Sequence, residues 1–212
     1  MSSFNINKAK EIINDAENII IFDIGAHNFE DSKILKSAFP NSVVYAFEPD
    51  IKNIQYYSSS AEQYGVKVIN LALSDSTGET TFYNSETLNG CEWLCSGSIL
   101  KPITIKNTNE GLNHKGLLYN LTGYKIQTTT FKDFCDAQNI SPTIVHMDVQ
   151  GAETKIMKGI GNYRPKIIFA ETCEFDTYET GTNIQQFDSI MEDLGYKIWE
   201  RLQYDTFYVY SR

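Results

Sequence analysis

The chain has 212 residues, 42% of them apolar, and a formal charge of -9 from 18 Lys and Arg against 27 Asp and Glu. A protein that grips nucleic acid needs a positive face to neutralise phosphates, so this balance argues against a nucleic-acid substrate. No apolar run approaches the roughly 18 residues of a membrane span, and the four cysteines include no CxxC pair and no histidine partners at zinc spacing.

The length suits one domain over 1–212 with a sizeable core. The first twenty residues, MSSFNINKAKEIINDAENII, lack the basic start and apolar centre of a signal peptide and read as a short amphipathic helix before a strand, so a cytoplasmic protein is expected. NIIIFDI then predicts a buried strand, EDSKILKSAF a helix, SVVYAFEP a second strand, IKNIQYYSSSAEQYG a helix and VKVINLAL a third strand. Strand and helix in alternation predict a parallel sheet with crossover helices. The continuous apolar character of the strands agrees, because parallel strands are covered on both faces.

From about Gly78 to Gly123 the texture changes. GETTFY is strand-like, and the following stretch, about 84–123, is rich in Asn, Gly, Ser and Thr. It is expected to be a loop-rich insertion acting as a lid or substrate loop. Regular structure resumes with YKIQTTT as a strand and TFKDFCDA as a helix capped by Thr130. PTIVHMDV is a strand, GAETKIMKGI a helix with Gly161 just past its end, PKIIFAE a strand, and NIQQFDSIMEDLG an amphipathic helix ended by Gly195. YKIWERLQY and TFYVYSR are joined too tightly for anything but an antiparallel hairpin.

Ligands of open α/β sheets bind outside the carboxyl ends of the strands. There the sequence places Asp23 and Gly25, then Glu48 and Pro49, then Asp148 and Gln150, then Glu171. Glu48 follows Gly25 by 23 residues, near the ~20 at which an acid meets a ribose in dinucleotide folds. A pyrophosphate wants several glycines and bare helix-terminal N–H groups. The turn GAHNFED, with Asp23 before it and Glu30 and Asp31 within it, instead suits a ligand carrying ammonium and sulfonium charges. An NAD-type oxidoreductase is disfavoured on that ground.

FDIGAHNFEDS, VYAFEPD, INLALSDSTGETTFY, HMDVQGAETKIMKG and PKIIFAE, in that order and spacing, resemble the FkbM family of S-adenosylmethionine-dependent methyltransferases. The resemblance runs from Ile21 to about Glu171. It implies an α/β class I methyltransferase, Rossmann-like, with a mostly parallel seven-stranded sheet, an antiparallel C-terminal hairpin and helices on both faces. It also implies S-adenosylmethionine as cofactor and methylation of a hydroxyl on a sugar or other small molecule. Residue by residue it assigns Asp23 and Gly25, with Ala26 and His27 of the same turn, to the methionine end of the cofactor. Glu48 with Pro49 falls to the ribose, and Leu71 and Ala72 to the adenine, with Ser74 and Asp75 in the same loop. Asp148 is placed near the sulfonium and the acceptor.

The chain departs from the family's pattern at His27 and Phe29, where Asn and Gly are usual, and at His146 and Gln150, where Lys and Glu are usual. A slightly wider first turn with the side chain of residue 29 pointing outward would accommodate the change. Methyl transfer to oxygen is mostly a matter of positioning, and a base helps take the hydroxyl proton. His146 lies two residues before Asp148 on one strand, hence on the same face, and is the candidate base with Asp148 as its orienter. His114 is a weaker candidate. Asp148 and Glu171 complete the catalytic candidates; a divalent ion held by them with Glu174 or Asp176 is the weaker alternative, since no compact metal motif exists. The alternative function is a non-catalytic binding domain on a degenerate methyltransferase fold. Oligomeric state and the acceptor's identity are left open.

Overall fold

The computed structural model of the chain describes residues 6–13, 18–89, 91–104, 111–113, 115–172 and 177–211. His114, Cys173, Glu174 and Asp176 lie outside them. A central sheet of seven strands runs β12-β13-β11-β10-β1-β2-β3. It is built from β1 (Ile20–Ile24), β2 (Val43–Phe47), β3 (Val66–Ile69), β10 (Ile144–Met147), β11 (Ile167–Glu171), β12 (Tyr196–Arg201) and β13 (Asp205–Tyr210). β10, β1, β2, β3 and β11 pair in parallel, while β13 pairs antiparallel with both β11 and β12. This is the seven-stranded arrangement expected from the resemblance.

Period-two alternation sends successive side chains of each strand to opposite faces, and both faces are covered. Phe22, Ile24, Phe47, Val145, Met147 and Ile168 pack under α4 (Phe131–Gln138), α5 (Glu153–Lys158) and α6 (Ile184–Asp193). Ile21, Val44, Ala46, Ile144, Ile167 and Phe169 pack under α1 (Ile6–Ile12), α2 (Glu30–Ala38) and α3 (Ile51–Gln63). A fully buried Phe or Ile contributes about 1.5–3 kcal/mol, so the near-continuous apolar strands place the sheet in the middle layer. The helix caps follow the expected chemistry. Thr130 accepts the N–H of Asp133, Asn183 accepts those of Gln185 and Gln186, and Gly195 follows the C-terminal end of α6.

Three expectations change. VKVINLAL is not one strand: Asn70 donates its side-chain amide to the carbonyls of Glu48 (2.8 Å) and Pro49 (3.2 Å) and the chain turns there. Beyond the turn, β4 (Ala72–Ser74) leaves the central sheet and pairs in parallel with β9 (Tyr124–Thr130). β5 (Gly78–Phe82), the strand expected from GETTFY, joins β9 antiparallel, and inside the stretch expected to be loop-rich three short strands, β6 (Ser85–Leu88), β7 (Cys91–Glu92) and β8 (Leu117–Tyr119), form a third small sheet. Finally, α5 ends at Gly159, not near Gly161. A Cβ at 159 would stand 2.4 Å from the carbonyl oxygen of Ser74, so glycine is required where the helix passes the end of β4.

Candidate active site

The first turn begins at Gly25 with φ +84°, and a Cβ there would lie 1.9 Å from the carbonyl oxygen of Asp148. The glycine is therefore demanded by the end of β10, which crosses directly against it. Both Gly25 and Ala26 donate their N–H groups to the carbonyl of Phe47 (2.9 and 3.0 Å), tying the turn to the end of β2. His27 and Phe29 then adopt φ +46° and +62°, a left-handed conformation costing a side-chain-bearing residue about 1–2 kcal/mol. The Phe29 side chain does not point outward as expected. It is fully buried among Leu35, Phe39 and Ala46, and its apolar contacts offset the backbone cost.

Glu48, 4% exposed at the end of β2, accepts the N–H of His27 on Oε2 (2.7 Å) and that of Asp50 on Oε1 (2.7 Å), with Asn53 Nδ2 at 3.4 Å. Burial raises its carboxyl to about 7, against the opposing pull of those N–H donors. His27 presents a neutral imidazole, its basicity lowered chiefly by burial, edge-on to Tyr57.

A single cleft opens at these strand ends, lined by Gly25, His27, Glu48, Pro49, Leu71, Ala72 and Asp148 from the sequence-derived set. The remaining walls were not assigned to the cofactor residue by residue. Asn53 comes from the first turn of α3, Gln150, already placed at a strand end by the sequence, follows β10, and Leu94, Cys95, Ser98 and Ile99 come from the segment between β7 and β8, inside the stretch read as a lid or substrate loop. Asn53 is the residue of this set that the sequence did not single out. The strap 94–99 is tethered across the cleft: Asn53 Nδ2 reaches Leu94 O (3.4 Å), Ser98 Oγ donates to Gln150 O (3.0 Å), and Tyr178 OH donates to Ser96 O (2.5 Å). Trp93 donates its indole N–H to Ser96 Oγ (2.8 Å) and so serves the strap.

Several candidates stand away from the cleft lining. Asp23, fully buried, takes a hydrogen bond from Ser32 Oγ and lies 2.7 Å from His146 Nδ1. Its carboxyl group is engaged by these two side chains and is not part of the cleft lining. His146 stacks on Phe169. Burial works against its charge, but the hydrogen bond to Asp23, and the charges of Asp23, Asp31 and Asp148, outweigh it and lift its pKa to about 9. The imidazole is thus a protonated ion-pair partner at neutral pH, without the near-neutral poise expected of a base. Ala26 belongs to the core beneath the turn. Ser74 donates to Asp75, and Asp75 pairs with Lys155 of α5 at 3.0 Å, outside the cleft lining.

At the end of β10 the Gln150 amide nitrogen donates to Asp148 Oδ1 (2.8 Å) and to Glu171 Oε2 (2.9 Å). Burial and the Asp148 carboxylate beside it hold Glu171 protonated well above the ordinary carboxylate range. Among the described residues no three His, Cys, Asp or Glu side chains gather in a metal-holding group. The walls suit a cation bearing hydroxyls: two carboxyl groups, Leu71, Ala72, Leu94 and Ile99 as apolar surface, and, among the described residues, no Lys or Arg in the lining to meet a pyrophosphate. The buried Asn53 Oδ1 is left without a hydrogen-bond partner beside Glu48, one acceptor more for a hydroxyl-bearing ligand.

Comparison with known structures bears on the fold. Precorrin-6y C5,15-methyltransferase from Geobacter metallireducens GS-15 superposes with a TM-score of 0.51 at 10% identity, covering 98% of this chain and 87% of its own, a likeness of fold. A SAM dependent methyltransferase from Aquifex aeolicus aligns at 0.44 with 11% identity over 98% and 90%. An O-methyltransferase family protein from Burkholderia thailandensis aligns at 0.48 with 10% identity over 98% and 55%. A comparison with curated proteins finds no match. The fold is that of class I S-adenosylmethionine-dependent methyltransferases, and the FkbM methyltransferase domain model matches residues 23–198. The chain belongs to the FkbM methyltransferase family.

Proposed function

We propose that this protein is an S-adenosylmethionine-dependent O-methyltransferase acting on a hydroxyl of a sugar or another small molecule. The observation that carries the reading is that Glu48 and Asp148, the acids at the ends of β2 and β10, line one cleft together with apolar Leu71, Ala72, Leu94 and Ile99 and the neutral polar side chains of Asn53, Ser98 and Gln150, with no Lys or Arg among the described residues of its lining. Glu48 is suited to accept two ribose hydroxyls, and Asn53 Oδ1 supplies a further acceptor next to it. Leu71 and Ala72 offer the flat apolar surface an adenine needs, and the Gly25 turn with Asp148 would hold the methionine end. When bound, S-adenosylmethionine supplies an electrophilic methyl on a positively charged sulfur. The residues of this chain then have two tasks. The strap over 94–99 excludes water, and Asp148 holds the proton that the acceptor hydroxyl gives up.

Titration with S-adenosylhomocysteine by calorimetry tests the cofactor reading: absence of binding to the folded protein sinks it. Transfer of labelled methyl to a panel of sugars and small alcohols tests the reaction. A protein that binds the cofactor product yet labels none of them is a binding domain on this fold. Among the described residues no helix is long and apolar enough to cross a membrane. We place the activity in the cytoplasm, on a small acceptor and not on nucleic acid, in keeping with the acidic composition.

A further inference from the structure

Gln150 has a backbone and a side chain that are both unusual. Its φ is +54°, a conformation that costs a non-glycine residue about 1–2 kcal/mol and persists only where surrounding structure holds it. The holding contacts are visible. Its carbonyl accepts Ser98 Oγ from the strap at 3.0 Å, its amide nitrogen donates to Asp148 at 2.8 Å and to Glu171 at 2.9 Å, and its side-chain oxygen faces the Tyr178 hydroxyl at 3.4 Å. An amide nitrogen carries two hydrogens, one for each acid.

We propose that Gln150 is a positioning residue whose neutral amide clamps Asp148 and Glu171 into an acid pair holding a single proton, with Asp148 turned to the cleft. The proposal rests on the methyltransferase reading for its purpose, but its geometry stands apart from it. Two carboxyl groups bridged by one nitrogen are too close for both to ionise readily. An ammonium between them would let both ionise, and a third carboxylate would add a further negative charge. The amide does neither, so one proton stays with the pair. Asp148 and Gln150 line the cleft while Glu171 lies behind them. Two other acids facing Glu171 favour its protonated form too, Glu153 from α5 and Asp205 across from it on β13, while the nearby Tyr178 hydroxyl, its pKa raised well above the usual value, stays neutral. An acceptor hydroxyl thus meets one carboxylate of fixed direction, backed by an O–H, and not a diffuse double charge that would draw in a cation.

Side-chain carboxyl carbons of the full-length protein, labelled in Asp and Glu, can be followed by NMR through a pH titration, with Asp148→Asn and Glu171→Gln for assignment. We expect Glu171 to stay protonated beyond pH 8. In Gln150→Ala the acids separate and hydrate, and the ionisation constant of Glu171 strengthens at least tenfold. An ordinary carboxylate titration of Glu171 in the unaltered protein overturns the proposal, and so does an unchanged or weaker acid in Gln150→Ala. Should that variant not fold, Asp148→Asn decides, because removing the neighbouring charge must also strengthen Glu171 at least tenfold. Calorimetry with S-adenosylhomocysteine on the same samples separates the two readings: no binding with the acid pair intact removes the cofactor reading and leaves the clamp.

Discussion

His146 Nδ1 lies 2.7 Å from Asp23 Oδ1 on residues that face each other across β10 and β1. Both side chains are buried, and the pair is the ionic centre of the sheet directly below the cleft. The His146 pKa is raised from 6.5 to about 9, so its contribution to stability is fully present below pH 6.5 and is lost as pH rises through about 9. Urea unfolding at pH 6, 8 and 10 is expected to show a decline on the order of 3 kcal/mol. In Asp23→Asn, which leaves the imidazole without its carboxylate, stability at pH 6 falls by about 3–5 kcal/mol and most of the decline disappears. A variant as stable as the parent at pH 6 would show that the pair is not ionic.

Glu48 is raised from 4.5 to about 7 by burial. For this carboxyl too the sign is that of a raised group: the favourable contribution is complete below pH 4.5 and lost as pH rises through about 7. Ionisation also creates the charged acceptor that ribose hydroxyls need. S-adenosylhomocysteine affinity is therefore expected to rise as pH climbs through 7, and Glu48→Gln to weaken it by about tenfold or more, ~1.4 kcal/mol, with a flat pH profile. Calorimetry at pH 6, 7 and 8 reads both effects. Equal affinity in parent and variant at pH 8 would remove Glu48 from the ribose site.

Gly25→Ala drives a methyl group to within 1.9 Å of the Asp148 carbonyl oxygen and imposes a left-handed conformation on alanine. Destabilisation of about 3 kcal/mol or more is expected in a denaturant titration, together with loss of S-adenosylhomocysteine binding, because the end of β10 must move. Retained binding in a destabilised variant would mean that the turn can shift without disturbing the cleft.

Phe29→Gly sets two effects against each other. Relief of the left-handed backbone returns about 1–2 kcal/mol, while emptying the fully buried ring's place costs about 3–5 kcal/mol. A net loss is expected by urea unfolding. A gain would show that the ring contributes less to packing than its burial among Leu35, Phe39 and Ala46 indicates.

Much of the architecture was legible in residues close together in the chain. Apolar runs such as IIFDI and IIFAE became central strands because a parallel strand buries both faces. Thr130 capped its helix because its side chain reaches the N–H three residues on. Misreadings arose where a distant group outweighed the local one. Asn70 bends VKVINLAL because its amide finds the carbonyls of Glu48 and Pro49, and the polar stretch before Gly123 gains short strands because β6 finds β7 and the distant β8.

By itself the sequence determined the class of fold, the family and the acids at four strand ends, since spacing and order along a chain survive folding unchanged. Tertiary structure alone decided which groups each acid meets. Asp23 and Asp148 end neighbouring strands, yet Asp23 meets His146 and Ser32 below the sheet's rim while Asp148 opens into the cleft beside Gln150. A carboxylate acts through the groups within a few ångströms of it, and those groups come from residues as far apart in sequence as 23 and 146.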